Sequence, residues 1–230
     1  MISGYGYALP KIKDNPSFIL SEECLKTFGT FYPIKYIASG ISGAVFQVCD
    51  QDDESCKYVV KAQKPKDIKY SEQDIENEIA WAKLAADIEV GPNVINTFSC
   101  DGEHHNTYTN EMVSTKIYFI IMDKMDMTLG EYIYKYRHYF NESDWNNIAN
   151  MLIELQIKLA EKGLLLYDLH IHNVMVNIDS DQDITEMRII DFQTIKTLGE
   201  DAFSYIFSLE ELVNALKIQG QRAALNSYIE

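Results

Sequence analysis

Asp168, Asn173 and Asp191 constrain this chain more than any other residues in it. They lie in two short segments, Leu165-Leu-Tyr-Asp-Leu-His-Ile-His-Asn173 and Ile189-Ile-Asp-Phe-Gln193. An Asp, an Asn five positions on, and then a hydrophobic-Asp-Phe triplet form a phosphoryl-transfer layout. One carboxylate orients a hydroxyl, while the Asn and the second Asp hold metal ions against nucleotide phosphates. Asp-x-x-x-x-Asn by itself is a common accident, so the layout has meaning only if the upstream chain supplies the remaining parts in order.

At 230 residues the chain can bury a sizeable core, as one domain or two small lobes. A net charge of −15 argues against nucleic acid and against anionic membrane surfaces, both of which call for a basic stripe. The longest apolar runs, such as 118–122, are far too short to span a bilayer, so no membrane insertion is expected. Residues 1–13 contain Gly, Tyr and Pro10 and do not read as a signal peptide. Cys24, Cys49, Cys56 and Cys100 show no Cys-x-x-Cys spacing, which makes unpaired thiols in a reducing cytoplasm the expectation.

Residues 1–33 carry Pro10, Pro16 and Pro33 and read as an irregular N-terminal extension. Strands are expected over 34–38, 44–49 and 58–62, the first two flanking a glycine turn. A helix is expected over 71–86, capped by Ser71 with Asp74 three positions on, and with Ile75, Ile79, Ala82 and Ala86 at helical spacing. Strands over 94–100 and 116–122 enclose a polar loop, 101–114. Helices follow over 129–139 and 144–162, the second with Ile148, Leu152, Leu155 and Leu159 on one face and Gly163 behind it. Short strands at 174–178 and 187–190 and a helical tail from Phe203 complete the pattern.

In this order the parts resemble the protein kinase-like superfamily, over residues 34 to 192. Ile37-Ala-Ser-Gly-Ile-Ser-Gly-Ala-Val45 resembles the glycine-rich loop, with Gly40 and Gly43 at two of its glycines and Val45 over the adenine. Backbone amides can approach phosphates closely there because no Cβ intervenes. Val59-Val-Lys61 resembles the strand whose lysine reaches the α/β-phosphates; an edge-strand lysine is the plain alternative. Glu78 is the chosen partner of that lysine, with Glu72 and Glu76 as alternatives. Residues 118–125 resemble the last strand of the first lobe running into a hinge, where backbone groups of Asp123 and Met125 would meet adenine. The resemblance implies that Asp168 orients the acceptor hydroxyl and that Asn173 and Asp191 bind Mg²⁺.

Several residues depart from the pattern. Ala38 replaces the first loop glycine, and Tyr167 replaces the Arg that serves activation-loop control in regulated kinases. His170 stands where Ser/Thr kinases usually carry Lys, and its imidazole could donate a hydrogen bond to the transferring group. A metal pair of His170 and His172 is the other reading of those two residues. Gln193 takes the place of a glycine, and the chain after Asp191 is short, without Ala-Pro-Glu. This resembles the compact kinases that bacterial pathogens inject into host cells and the short kinases of large DNA viruses.

The expected fold is therefore α+β: a bilobal, kinase-like architecture with a β-rich N-lobe (34–122) and a truncated, mostly helical C-lobe with hinge (123–230), behind the extension 1–33. The expected activity is transfer of the ATP γ-phosphoryl to a protein Ser/Thr hydroxyl with Mg²⁺, free of activation-loop control. Its substrate would be a protein, a host protein if the chain is an effector or viral kinase, and its compartment the cytoplasm. Two other readings stand beside it: a pseudokinase or kinase-fold effector that grips a protein, and a small-molecule phosphotransferase, for which Asp168-Leu-His170 speaks.

Overall fold

The structure, a computed structural model, describes residues 18–20, 22–39, 43–52, 56–65, 71–106, 111–166, 169–197 and 213–218. The fold is mixed α+β, and its contacts divide it into two compact units, residues 1–80 with 94–124 and residues 81–93 with 125–230. The sequence divides the chain at 33/34 and 122/123; the helix spanning 72–87 carries residues of both units.

The first unit is built on one antiparallel sheet of six strands: β1 (Phe18–Leu20), β2 (Phe31–Ser39), β3 (Gly43–Asp50), β4 (Tyr58–Gln63), β5 (Val94–Asn106) and β6 (Glu111–Asp123). Their spatial order is β1-β5-β6-β4-β3-β2. Strand periodicity sorts the side chains onto two faces. Ala44, Phe46 and Val48 of β3, Val60 and Ala62 of β4, and Ile117, Phe119 and Ile121 of β6 form one buried cluster. The short helix α1 (Glu22–Thr27) and the turn behind it add Cys24 and Phe28 to that cluster. Phe28 meets Phe98 and Phe119 edge-on at 4.8 and 5.1 Å, a favourable arrangement for ring quadrupoles. The opposite face carries Val45, Lys61 and Ile120 as cross-strand neighbours, with Gly43, Gln63 and Tyr118 one step along.

Three sequence expectations change here. Residues 18–33, expected to be irregular, hold β1, α1 and the start of β2, and Cys24 and Phe28 are almost fully buried. The loop expected at 101–114 is strand at both ends, because β5 and β6 pair in register from Cys100↔Ile117 to Asn106↔Glu111. The outer edge of β5 also receives β1, Phe18↔His104 to Leu20↔Gly102, so polar residues there satisfy their backbone groups in a ladder. The four cysteines, expected as free thiols, form two cystines, Cys24–Cys100 and Cys49–Cys56. Packing of α1 on β5 brings the first pair together, and the turn from β3 to β4 the second.

α2 (Glu72–Asp87) starts at a reciprocal cap in which the Asp74 N–H donates to Ser71 Oγ and the Ser71 N–H to Asp74 Oδ2. Its buried stripe runs through Ile75, Glu78, Ala82 and Ala85 rather than Ile79 and Ala86. A carboxylate thus occupies a position that spacing would give to an apolar residue.

The second unit holds β7 (Met127–Thr128), α3 (Leu129–Tyr136) with a 3₁₀ turn behind it, α4 (Glu142–Glu161), β8 (Leu164–Leu166), β9 (Val174–Ile178), β10 (Ile184–Ile189) and β11 (Ile195–Thr197). Thr128 caps α3 with Glu131, and Asn141 caps α4 with Asp144, each through a reciprocal capping box. The α4 face foreseen from spacing is buried, all four of Ile148, Leu152, Leu155 and Leu159. Gly163 follows at φ +66°, where glycine ends a helix without strain. β10-β9-β7 form a small antiparallel sheet, and β8 pairs with β11, a pairing not expected from sequence. Of the tail from Phe203, residues 213–218 are described; they are helical and bury Val213 and Leu216.

Candidate functional site

Lys61 lies mid-strand on β4, between Val45 of β3 and Ile120 of β6. Its ammonium pairs with Glu78 Oε1. Side-chain exposure is 16% for Lys61 and 3% for Glu78, so the pair is largely withdrawn from water. Glu72 and Glu76, the alternatives on the same helix, are exposed. Helical geometry explains the difference: Glu78 is three positions past the fully buried Ile75, on the inward stripe. Gln63, two positions after Lys61 and therefore on the same sheet face, donates from Nε2 to Glu78 Oε2 at 2.8 Å. Sequence reasoning missed Gln63. Its only signal was the two-residue spacing from Lys61.

Gly43 opens β3 opposite Gln63. A Cβ on Gly43 would stand 2.1 Å from the Ala62 carbonyl oxygen. Close strand approach alone therefore demands this glycine, apart from any ligand. Val45 is half-buried and faces the side of the sheet that carries Lys61. Gly40 lies outside the described residues. Asp123 ends β6 opposite Tyr58, and the Lys124 N–H donates to the Lys57 carbonyl at 2.8 Å.

In the second unit, Asn173 directly precedes β9 and Asp191 follows β10 by two residues. Val174 and Ile189 are cross-strand partners, so the hairpin brings the two ends together. The Ile190 N–H closes that end by donating to the Asn173 carbonyl at 2.8 Å. Asp191 has φ +65°, a left-handed backbone that non-glycine residues seldom adopt and that concentrates at functional positions. Its Oδ1 is shut off from solvent. Phe192 behind it is buried and packs on Gly91, where a Cβ would come within 3.1 Å of the ring. Met125 is buried in the same unit.

Asp168 and Tyr167 lie outside the described residues. His170 and His172 flank the buried Ile171, their ring centroids 5.9 Å apart. The His172 N–H donates to His170 Nδ1 at 3.2 Å, which leaves the ring proton of a neutral His170 on Nε2. That use of Nδ1 counts against a metal pair. Among the described residues, no group of three or more His, Cys, Asp or Glu side chains is arranged to hold a metal ion. The Gly130 N–H donates to the Ile171 carbonyl at 2.9 Å, and a Cβ on Gly130 would lie 2.7 Å from the His172 ring. The start of α3 thus holds the His170–Asn173 turn from below, a second feature not read from sequence.

The hard oxygen donors of Asn173 and Asp191 suit Mg²⁺, which takes one or two carboxylates and keeps much of its water. Glu78 and Lys61 supply a fixed ammonium of the kind that binds phosphate as a point charge. Among the described residues, no helix is long and apolar enough to cross a membrane. No protein-family model matches this chain, and no curated protein matches it either.

Proposed function

We propose that this chain is a minimal phosphotransferase that moves the γ-phosphoryl of ATP to a Ser/Thr hydroxyl of a protein, in a bilobal kinase-like arrangement. One observation carries the reading: the largely buried Lys61–Glu78 pair on the sheet face that also bears Val45. An ion pair withdrawn from water contributes little to stability relative to well-packed apolar residues. Its presence mid-sheet is better accounted for by a ligand that needs a fixed positive charge. The left-handed backbone at Asp191, beside Asn173 at one hairpin end, supports the same reading.

Lys61 would hold the α/β-phosphates, with backbone amides around Gly40 and Gly43 beside them and Val45 against the base. Backbone groups of Asp123 and Met125 would bind the adenine edge. Asn173 and Asp191 would hold Mg²⁺, whose charge offsets that of the phosphates. Asp168 would orient the acceptor hydroxyl, and His170 would donate from Nε2 toward the phosphoryl oxygens. Positioning and charge neutralisation account for catalysis of this kind. The acceptor would be a host protein if the chain serves as an effector or viral kinase; the two cystines remove the free-thiol argument for a reducing compartment.

The test is incubation with γ-labelled ATP, Mg²⁺ and a cell lysate, beside the Asp191→Ala variant. Label on protein that disappears in the variant is the expected result. Equal labelling by the folded variant overturns the assignment. Neither label nor nucleotide binding by the wild-type chain turns the reading to a protein-binding module.

A further inference from the structure

Gln63 is fully buried, yet its side chain carries an amide. Burying an amide without a partner costs roughly 1–3 kcal/mol. Its Nε2 finds that partner in Glu78 Oε2, while Lys61 holds Oε1 of the same carboxylate. The two contacts differ in what they fix. An ammonium on a four-carbon stem rotates freely and sets only a distance. A planar amide on the second oxygen also sets the plane of the carboxylate, because the two donors approach from β4 positions separated by two residues. Gly43 makes the arrangement possible: a Cβ there would lie 3.1 Å from Gln63 Cγ and crowd the side chain.

We propose that Gln63 is a positioning residue that locks the Glu78 carboxylate, and through it holds the Lys61 ammonium ready for a nucleotide phosphate. The proposal rests on the phosphotransferase reading for its ligand. Swinging Glu78 away from Lys61 would break the Gln63 contact to the same carboxylate as well. Control of this protein by swinging Glu78 away from Lys61 is therefore disfavoured, which fits a chain read as free of activation-loop control.

The experiment compares the wild type with Gln63→Met, which keeps the volume and removes the donor. In protein labelled with ¹⁵N-lysine, the Lys61 ammonium signal is assigned by its loss in Lys61→Arg. Its hydrogen exchange with water should accelerate about tenfold in Gln63→Met, the scale of one lost hydrogen bond. The dissociation constant of a fluorescent ATP analogue should rise by a similar factor. A purely structural role would lower the melting temperature while leaving both quantities unchanged in the folded protein, and that result overturns the proposal. Should Gln63→Met not fold, the wild type still decides: the Gln63 side-chain amide protons should exchange far more slowly than those of the exposed Gln73, and equal rates refute the lock. Wild-type protein that binds no nucleotide defeats the phosphotransferase reading alone, since the exchange measurements need none.

Discussion

The Ala62 carbonyl oxygen stands 2.1 Å from the point where a side chain on Gly43 would begin. The obstacle is backbone of the neighbouring strand, so no rotamer change relieves it. Gly43→Ala must push β3 away from β4, at a cost of about 1–3 kcal/mol for forced overpacking. Urea unfolding should show that loss in the absence of any nucleotide, and an unchanged midpoint would contradict the register Gly43↔Gln63.

The two cystines should contribute unequally. Cys24–Cys100 closes 76 residues and Cys49–Cys56 closes 7. Loop-closure entropy then gives about 4 kcal/mol for the first and about 2 kcal/mol for the second. Alkylation of the oxidised protein followed by intact-mass measurement should find no free thiol, in keeping with the absence of free cysteines. Cys24→Ser with Cys100→Ser should lower the melting temperature more than Cys49→Ser with Cys56→Ser.

Tyr132 predicts a pH dependence. Burial, with Asp183 and Asp144 next in effect, pushes its phenol up to about 12 from an ordinary value of 10.0. Between these values the unfolded chain has lost the proton and the folded chain keeps it. Unfolding then releases a proton, so stability is intact below pH 10 and falls as pH rises toward 12. Absorbance titration of phenolate should show a late-titrating component that is lost in Tyr132→Phe. The same variant loses the hydrogen bond from Tyr132 Oη to the Gln182 carbonyl, 3.0 Å long, and should be about 1 kcal/mol less stable at neutral pH.

What sequence alone determined were features governed by local chemistry. The α4 face of Ile148, Leu152, Leu155 and Leu159, its end at Gly163, the Ser71–Asp74 cap and the strands around Val45 and Lys61 all follow from period, capping and turn residues. The alignment of Asn173 with Asp191 also follows once 174–178 and 187–190 are read as a hairpin. Tertiary structure decided whatever depends on partners far along the chain. Polar residues 101–106 could become strand because β6 pairs along all of them and β1 pairs with 102–104 on the other edge. Cysteine spacing carries no trace of the approach of α1 to β5 that joins Cys24 to Cys100. Glu78, rather than Glu72 or Glu76, became the buried carboxylate because only its turn of α2 meets the charge of Lys61 and the amide of Gln63. A buried charge settles where its partners are, and those partners are fixed by packing rather than by spacing.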